Sequence, residues 1–100
     1  MKLGMNVVGP QVRKFRNRKG WTQAVLARKL QLQGWSISLA SLGKLEAQLR
    51  RVPDCELLFL GRVLGVSPGD LLPKNLPLKQ IGPQFQSGSR LALFPTRGEK

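Results

Sequence analysis

From Val8 to Pro73 apolar residues recur at helical spacing, and beyond that point the pattern stops. Val8, Val12 and Phe15 lie at i, i+4 and i+7, one face of a helix reaching about Lys19, with Arg13, Lys14, Asn17 and Arg18 on the opposite face. Gly20 marks its end, with Lys19 suited to the last turn. Thr22 is placed to cap a second helix with a stripe of Leu26, Ala27 and Leu30. Val25 stands where a capping box would need Glu or Gln, so the cap acts alone. Gly34 and the β-leaning Trp35-Ser36-Ile37 interrupt. Ser38 then caps a third helix carrying Leu42, Leu45 and Leu49.

Arg50-Arg51-Val52-Pro53 reads as a loop, because a proline disfavours helical geometry at the residue before it. Asp54 is expected to cap a fourth helix that buries Leu57, Leu58 or Leu60, and Leu64 before Gly65 stops it. Ser67-Pro68-Gly69-Asp70 opens a fifth, one-turn helix through Leu72: Ser as cap, Pro at the first position, Asp reaching back. The predicted fold is all-α, five helices over 9–73, with an N-terminal arm over 1–8. Residues 74–100 hold three prolines, three glycines and no helical stripe, and read as a flexible basic tail. The apolar run Leu91-Ala92-Leu93-Phe94 is its one feature suited to docking on a protein partner.

Charge sharpens this picture. The chain carries 17 Lys+Arg against 5 Asp+Glu, a formal +12, of which +8 lies on residues 1–73 (twelve against four) and +4 on the tail (five against one). Such a balance favours a polyanion, because each phosphate neutralised releases condensed counterions. An anionic membrane face would also attract it. The acids Glu46, Asp54, Glu56, Asp70 and Glu99 show no metal-ligand spacing, and with no His or Tyr few acid–base groups remain. Neither an enzyme nor a cofactor or metal is expected. The lone Cys55 cannot form an internal disulfide. The opening residues are too broken by Gly4, Asn6 and Gly9 for a secretory signal, and no run is long enough to span a membrane. The expected location is the cytoplasm, on the nucleoid.

In order and number, Val12-Arg13, Phe15-Arg16, Gly20, Thr22-Gln23, Leu26-Ala27, Ser38, Leu42, Leu45-Glu46, Leu57-Leu58 and Leu64-Gly65-Val66 resemble the phage Cro/repressor type of helix-turn-helix, the XRE family. The likeness covers roughly residues 9–73 and implies a compact, lambda-repressor-like domain binding double-stranded DNA, commonly as a homodimer, in a small repressor-like regulator. It also implies an ion pair between Arg16 and Glu46. The pattern supports that pair independently, since Glu46 lies on the apolar stripe and a buried carboxylate needs a cationic partner.

The resemblance assigns Thr22 and Gln23, at the start of the second helix, to the DNA backbone, which suits free N–H groups at a helix N-terminus. The third helix becomes the reading helix, presenting Ser38, Leu39, Ala40, Ser41, Gly43 and Lys44, with Gln48 a turn further on. Arg50 and Arg51 are expected on phosphates. Leu39 and Ala40 depart from the family, which commonly has polar residues there, so direct base readout should be weak. Leu39, about 60° round the helix from Leu42, is expected to lean into the core, with contact to a thymine methyl the competing reading. From Thr22 to Glu46 is twenty-four residues, longer than the family's spacing. Gln31-Leu32-Gln33-Gly34-Trp35 accommodate the difference, part of them extending the second helix and Trp35 covering the seam between helix ends. The smooth face of Leu39, Ala40, Gly43 and Ala47 also suits an alternative: an interaction module, or an antitoxin-like protein, with little base readout.

Overall fold

In the computed structural model, which describes residues 4–74, the chain forms four α-helices and a closing turn: α1 Gly9–Arg18, α2 Gln23–Leu32, α3 Leu39–Glu46 and α4 Asp54–Leu64, then a 3₁₀ turn Pro68–Leu71. Among the described residues there is no strand. The tail, its Leu91–Phe94 run included, lies outside the described residues beyond Lys74.

Helix ends are set by local chemistry. After α1, Gly20 takes a left-handed φ of 72°, its N–H donates to Asn17, and Trp21 N–H donates to Arg16. These are the paired bonds of a Schellman close. Gly34 (φ 106°) closes α2 the same way, with N–H donors of Gly34 and Trp35 reaching Gln31 and Leu30. Thr22 Oγ1 accepts from Val25 N–H at 3.1 Å and Ser38 Oγ from Ser41 N–H at 3.0 Å, so α2 and α3 begin on the expected caps.

The apolar stripes meet in one core of Val8, Val12, Leu26, Ala27, Leu30, Ile37, Leu42, Leu45, Leu60, Leu64 and Leu71. α3 packs on α1 and α2, α4 also packs on both, and the 3₁₀ turn closes against α1 and α4. Ile37 fills the core from the α2–α3 loop, which is pinned where Gln31 Nε2 donates to the Ile37 carbonyl at 2.8 Å. Of the five accommodating residues, Gln31 and Leu32 extend α2 and the rest form the loop. Trp35 packs against the core, its ring 6.0 Å from that of Phe59.

Several expectations are corrected. The fifth helix is a 3₁₀ turn; its capping box of Ser67 and Asp70 forms as expected, but it ends at Leu71, not Leu72, and Leu71 is buried in the core. Pro53, not Asp54, occupies the cap position of α4, and no side chain bonds there; Asp54 and Glu56 sit in the first turn, favourably placed against the helix dipole. Leu58 points outward, and Leu60 and Leu64 carry that side of the core. Leu49 leaves the stripe of Leu42 and Leu45 because α3 ends at Glu46 and the chain turns through a left-handed Gln48, φ 64°.

The segment before α1 is bonded to the end of α3. Asn6 Oδ1 accepts from the N–H groups of Val8 and Gly9, and its Nδ2 donates to the carbonyls of Leu45 and Arg50. Met5 N–H donates to the Gln48 carbonyl, and Val8 is buried. The part of residues 1–8 that is described packs on the domain.

Candidate nucleic-acid interface

Arg16 ends the buried face of α1 and Glu46 ends that of α3, so the packing of the two helices brings their heads together inside the protein. Arg16 Nε donates to Glu46 Oε2 at 2.7 Å and Nη2 to Oε1 at 2.9 Å, a two-pronged grip with both residues buried. Such a planar fork matches a carboxylate in direction as well as charge. Arg16 Nη1 donates to the Trp21 carbonyl at 2.7 Å, and Gln23 Nε2 donates to Glu46 Oε1 at 3.0 Å. One carboxylate thereby ties together the end of α1, the α1–α2 turn, the first residue of α2 and the end of α3. The start of α2 is held in a fixed relation to α3.

Gly43 faces this junction. A Cβ built there would lie 3.7 Å from Gln23 Oε1, an ordinary contact, so the glycine leaves a small gap between the start of α2 and the middle of α3. Beside the gap, the first turn of α3 stands in solvent. Ser38, Leu39, Ala40 and Lys44 are exposed and Ser41 is half-buried. Leu39 is 51% exposed, against the expectation that it leans into the core: it precedes the buried turn of Leu42 and Leu45, and no element of the described chain covers it. Thr22, exposed at the start of α2, and Gln23 flank the same edge.

Two of the expected contact residues are engaged elsewhere. Gln48 is buried, and its Nε2 donates to the Asn6 carbonyl at 2.9 Å, so it holds the N-terminal segment on the domain rather than facing outward. A residue one turn past Lys44 would face outward only if α3 continued, and it does not. Arg50 folds back on Glu56, with Nη2 at 3.1 Å from Oε2 and Nη1 at 3.1 Å from Oε1. Arg51 is exposed and, among the described residues, held by no salt bridge.

These pairings shape the electrostatics. Residues 4–74 hold twelve Lys/Arg against four Asp/Glu. Glu46 and Glu56 are each taken by an arginine, and Asp70 turns back to the Ser67 N–H. Arg13, Lys14, Arg18, Lys44 and Arg51 are exposed and form no salt bridge among the described residues. Arg13, Lys14 and Arg18 line a shallow groove on α1 with Pro10 and Asn17. At the α1–α2 turn, Lys19 and Lys29 place their ammonium groups 5.2 and 4.6 Å from the centre of the Trp21 ring, which orients both cations.

Asn6, Glu56 and the Trp21 lysine pair were not singled out by the sequence pattern. Asn6 carried a usable signal, an Asn three residues before a Gly-Pro helix opening. Nothing local announces the pairing of Arg50 with Glu56, because a loop separates them. Among the described residues no group of His, Cys, Asp and Glu side chains is arranged to hold a metal ion, and no helix is long and apolar enough to cross a membrane. Compared with known proteins, the chain matches no family model, no curated protein and no solved structure.

Proposed function

We propose that this protein binds double-stranded DNA with the N-terminal turn of α3 in the major groove and the start of α2 on the phosphate backbone. It acts as a small transcriptional regulator of the XRE helix-turn-helix type, repressor-like and dimeric, on the nucleoid in the cytoplasm, without catalysis or cofactor. The observation that carries this reading is the buried grip of Arg16 and Gln23 on Glu46. It fixes α2 against α3 and leaves the first turn of α3 bare on a strongly cationic surface. A rigid helix pair with an exposed leading turn is the geometry that enters a major groove. Thr22, Gln23 and Arg51 hold phosphates, and Lys44 and Ser41 are the polar groups at the base edges. The tail adds cationic charge and offers Leu91–Phe94 to a protein partner.

Titrating a labelled duplex with salt tests the reading. Affinity should fall steeply, with log K against log salt sloping by roughly 0.9 per phosphate neutralised. The exposed apolar Leu39 favours a second reading, a face that docks on protein. Under that reading the duplex binds weakly at all salt concentrations, and association with a protein partner barely responds to salt.

A further inference from the structure

We propose that α3 selects its DNA through the C5-methyl groups of pyrimidines in the major groove, with Leu39 as the specificity-determining side chain. This deepens the DNA-binding reading and rests on it.

Most polar side chains around the leading turn of α3 are already bonded within the protein. Ser38 Oγ already accepts from Ser41 N–H, and Gln23 directs one amide N–H to Glu46, which leaves the other for the DNA backbone and none for a base. Gln48 is buried, and Arg50 is paired with Glu56. The polar groups left on the leading edge of α3 are therefore the Ser38 O–H, Ser41 and Lys44. At 100° per residue Ala40 and Lys44 share the outward line of the helix, with Leu39 and Gly43 beside it on the flank that faces Gln23. Leu39 and Ala40 are exposed there, whereas Leu42 and Leu45 further along α3 are fully buried.

An apolar edge rimmed by cations fits one feature of a duplex. The thymine C5-methyl projects into the major groove between the phosphate rows and is the apolar group a side chain can meet there. The same methyl on cytosine presents the same chemistry. Charge complementarity selects a polyanion over a protein face: Lys44 stands at the centre of the exposed turn and Arg51 follows in the loop, neither engaged by a carboxylate among the described residues. Gly43, having no side chain, leaves room for the groove wall beside Leu39.

The test uses the full chain and a duplex enriched from a random pool, prepared in three forms: natural, with deoxyuridine for thymidine, and with 5-methylcytosine for cytosine. Weakening of about fourfold for each contacted methyl removed in the deoxyuridine duplex supports the proposal with thymine as the source. An unchanged deoxyuridine affinity together with tighter binding to the methylcytosine duplex supports it with methylcytosine as the source. In either case the L39A protein, with unchanged helicity by circular dichroism, should lose the discrimination while still binding DNA. Equal affinity for all three duplexes, or discrimination retained in L39A, overturns the proposal and leaves DNA binding standing. Failure to bind any duplex at low salt overturns both.

Discussion

The backbone at Gly9 approaches the Leu45 carbonyl so closely that a Cβ on Gly9 would lie 2.5 Å from that oxygen and 2.8 Å from that of Glu46. The first turn of α1 is thereby seated on the last turn of α3, the same end of α3 that supplies Glu46 to Arg16. Gly9→Ala should force the two helices apart and cost roughly 1–3 kcal/mol. Denaturant unfolding checks this directly, with a lower midpoint at unchanged slope the expected result.

Gly43→Ala should do the opposite. Its Cβ would meet Gln23 Oε1 at an ordinary 3.7 Å, and a glycine inside a helix is worse than alanine by roughly 0.5–1 kcal/mol. The expected outcome is a thermal midpoint higher by roughly 3–6 °C. Because position 43 lies one helical turn beyond Leu39 on the same flank, the substitution should also narrow the range of duplexes bound.

The Arg16–Glu46 grip has an asymmetric energetics. Removing the guanidinium alone, as in Arg16→Ala, leaves a buried carboxylate with only Gln23, and breaking such a pair costs about 3–5 kcal/mol. That is a large share of the roughly 5–15 kcal/mol that stabilises a typical domain. Replacing both partners, Arg16→Met with Glu46→Leu, should recover most of the loss, since apolar groups of similar volume need no counter-charge. The double variant should still bind DNA poorly, because Gln23 then has nothing to orient it. Paired urea melts and duplex titrations of the single and double variants read these two effects apart.

Where the chain writes its structure in local signals, the sequence predicts it. Gly20 and Gly34 end their helices, Thr22 and Ser38 begin theirs, and Ser67 with Asp70 forms the closing box. The ion pair was legible too, because Glu46 interrupts an apolar stripe. What was not legible depends on backbone geometry without a residue signature. Gln48 takes the left-handed turn that glycine takes after α1 and α2, so the end of α3 passes unmarked and Leu49 reads falsely as core. Arg50 reads as a free cation until α4 brings Glu56 beside it. Leu39 reads as core from its angle, although its height on the helix places it above the packed layer.

Gln48 offers a fourth test, of structure against contact. A left-handed glutamine is strained by roughly 1–2 kcal/mol, while its hydrogen bond to the Asn6 carbonyl returns roughly 0.5–1.5 kcal/mol. Gln48→Gly exchanges one for the other and should stay within about 1 kcal/mol of the parent. Gln48→Ala keeps the strain and loses the bond, and should destabilise by about 1–3 kcal/mol. Duplex affinity of the folded proteins should be unchanged in both.

Arg50 and Arg51 are neighbours in sequence with opposite surroundings, and they separate charge that faces DNA from charge that faces the protein. Arg51 is exposed and held by no salt bridge among the described residues. Arg51→Gln should leave the melting temperature unchanged and lower the steepness of the salt dependence by about one phosphate contact. Arg50 reaches Glu56 at 3.1 Å with side chains 25% and 17% exposed, so its charge is already met. Arg50→Gln should leave the salt slope as it was and reduce stability by about 1–3 kcal/mol, because Glu56 Oε1 is buried and loses its partner. Substituting Glu56 instead, Glu56→Gln, frees Arg50, and affinity should then rise together with the salt slope. A set of three titrations in which Arg50→Gln, not Arg51→Gln, flattened the salt dependence would place the phosphate contact on the other arginine and require the α3–α4 loop to open on binding.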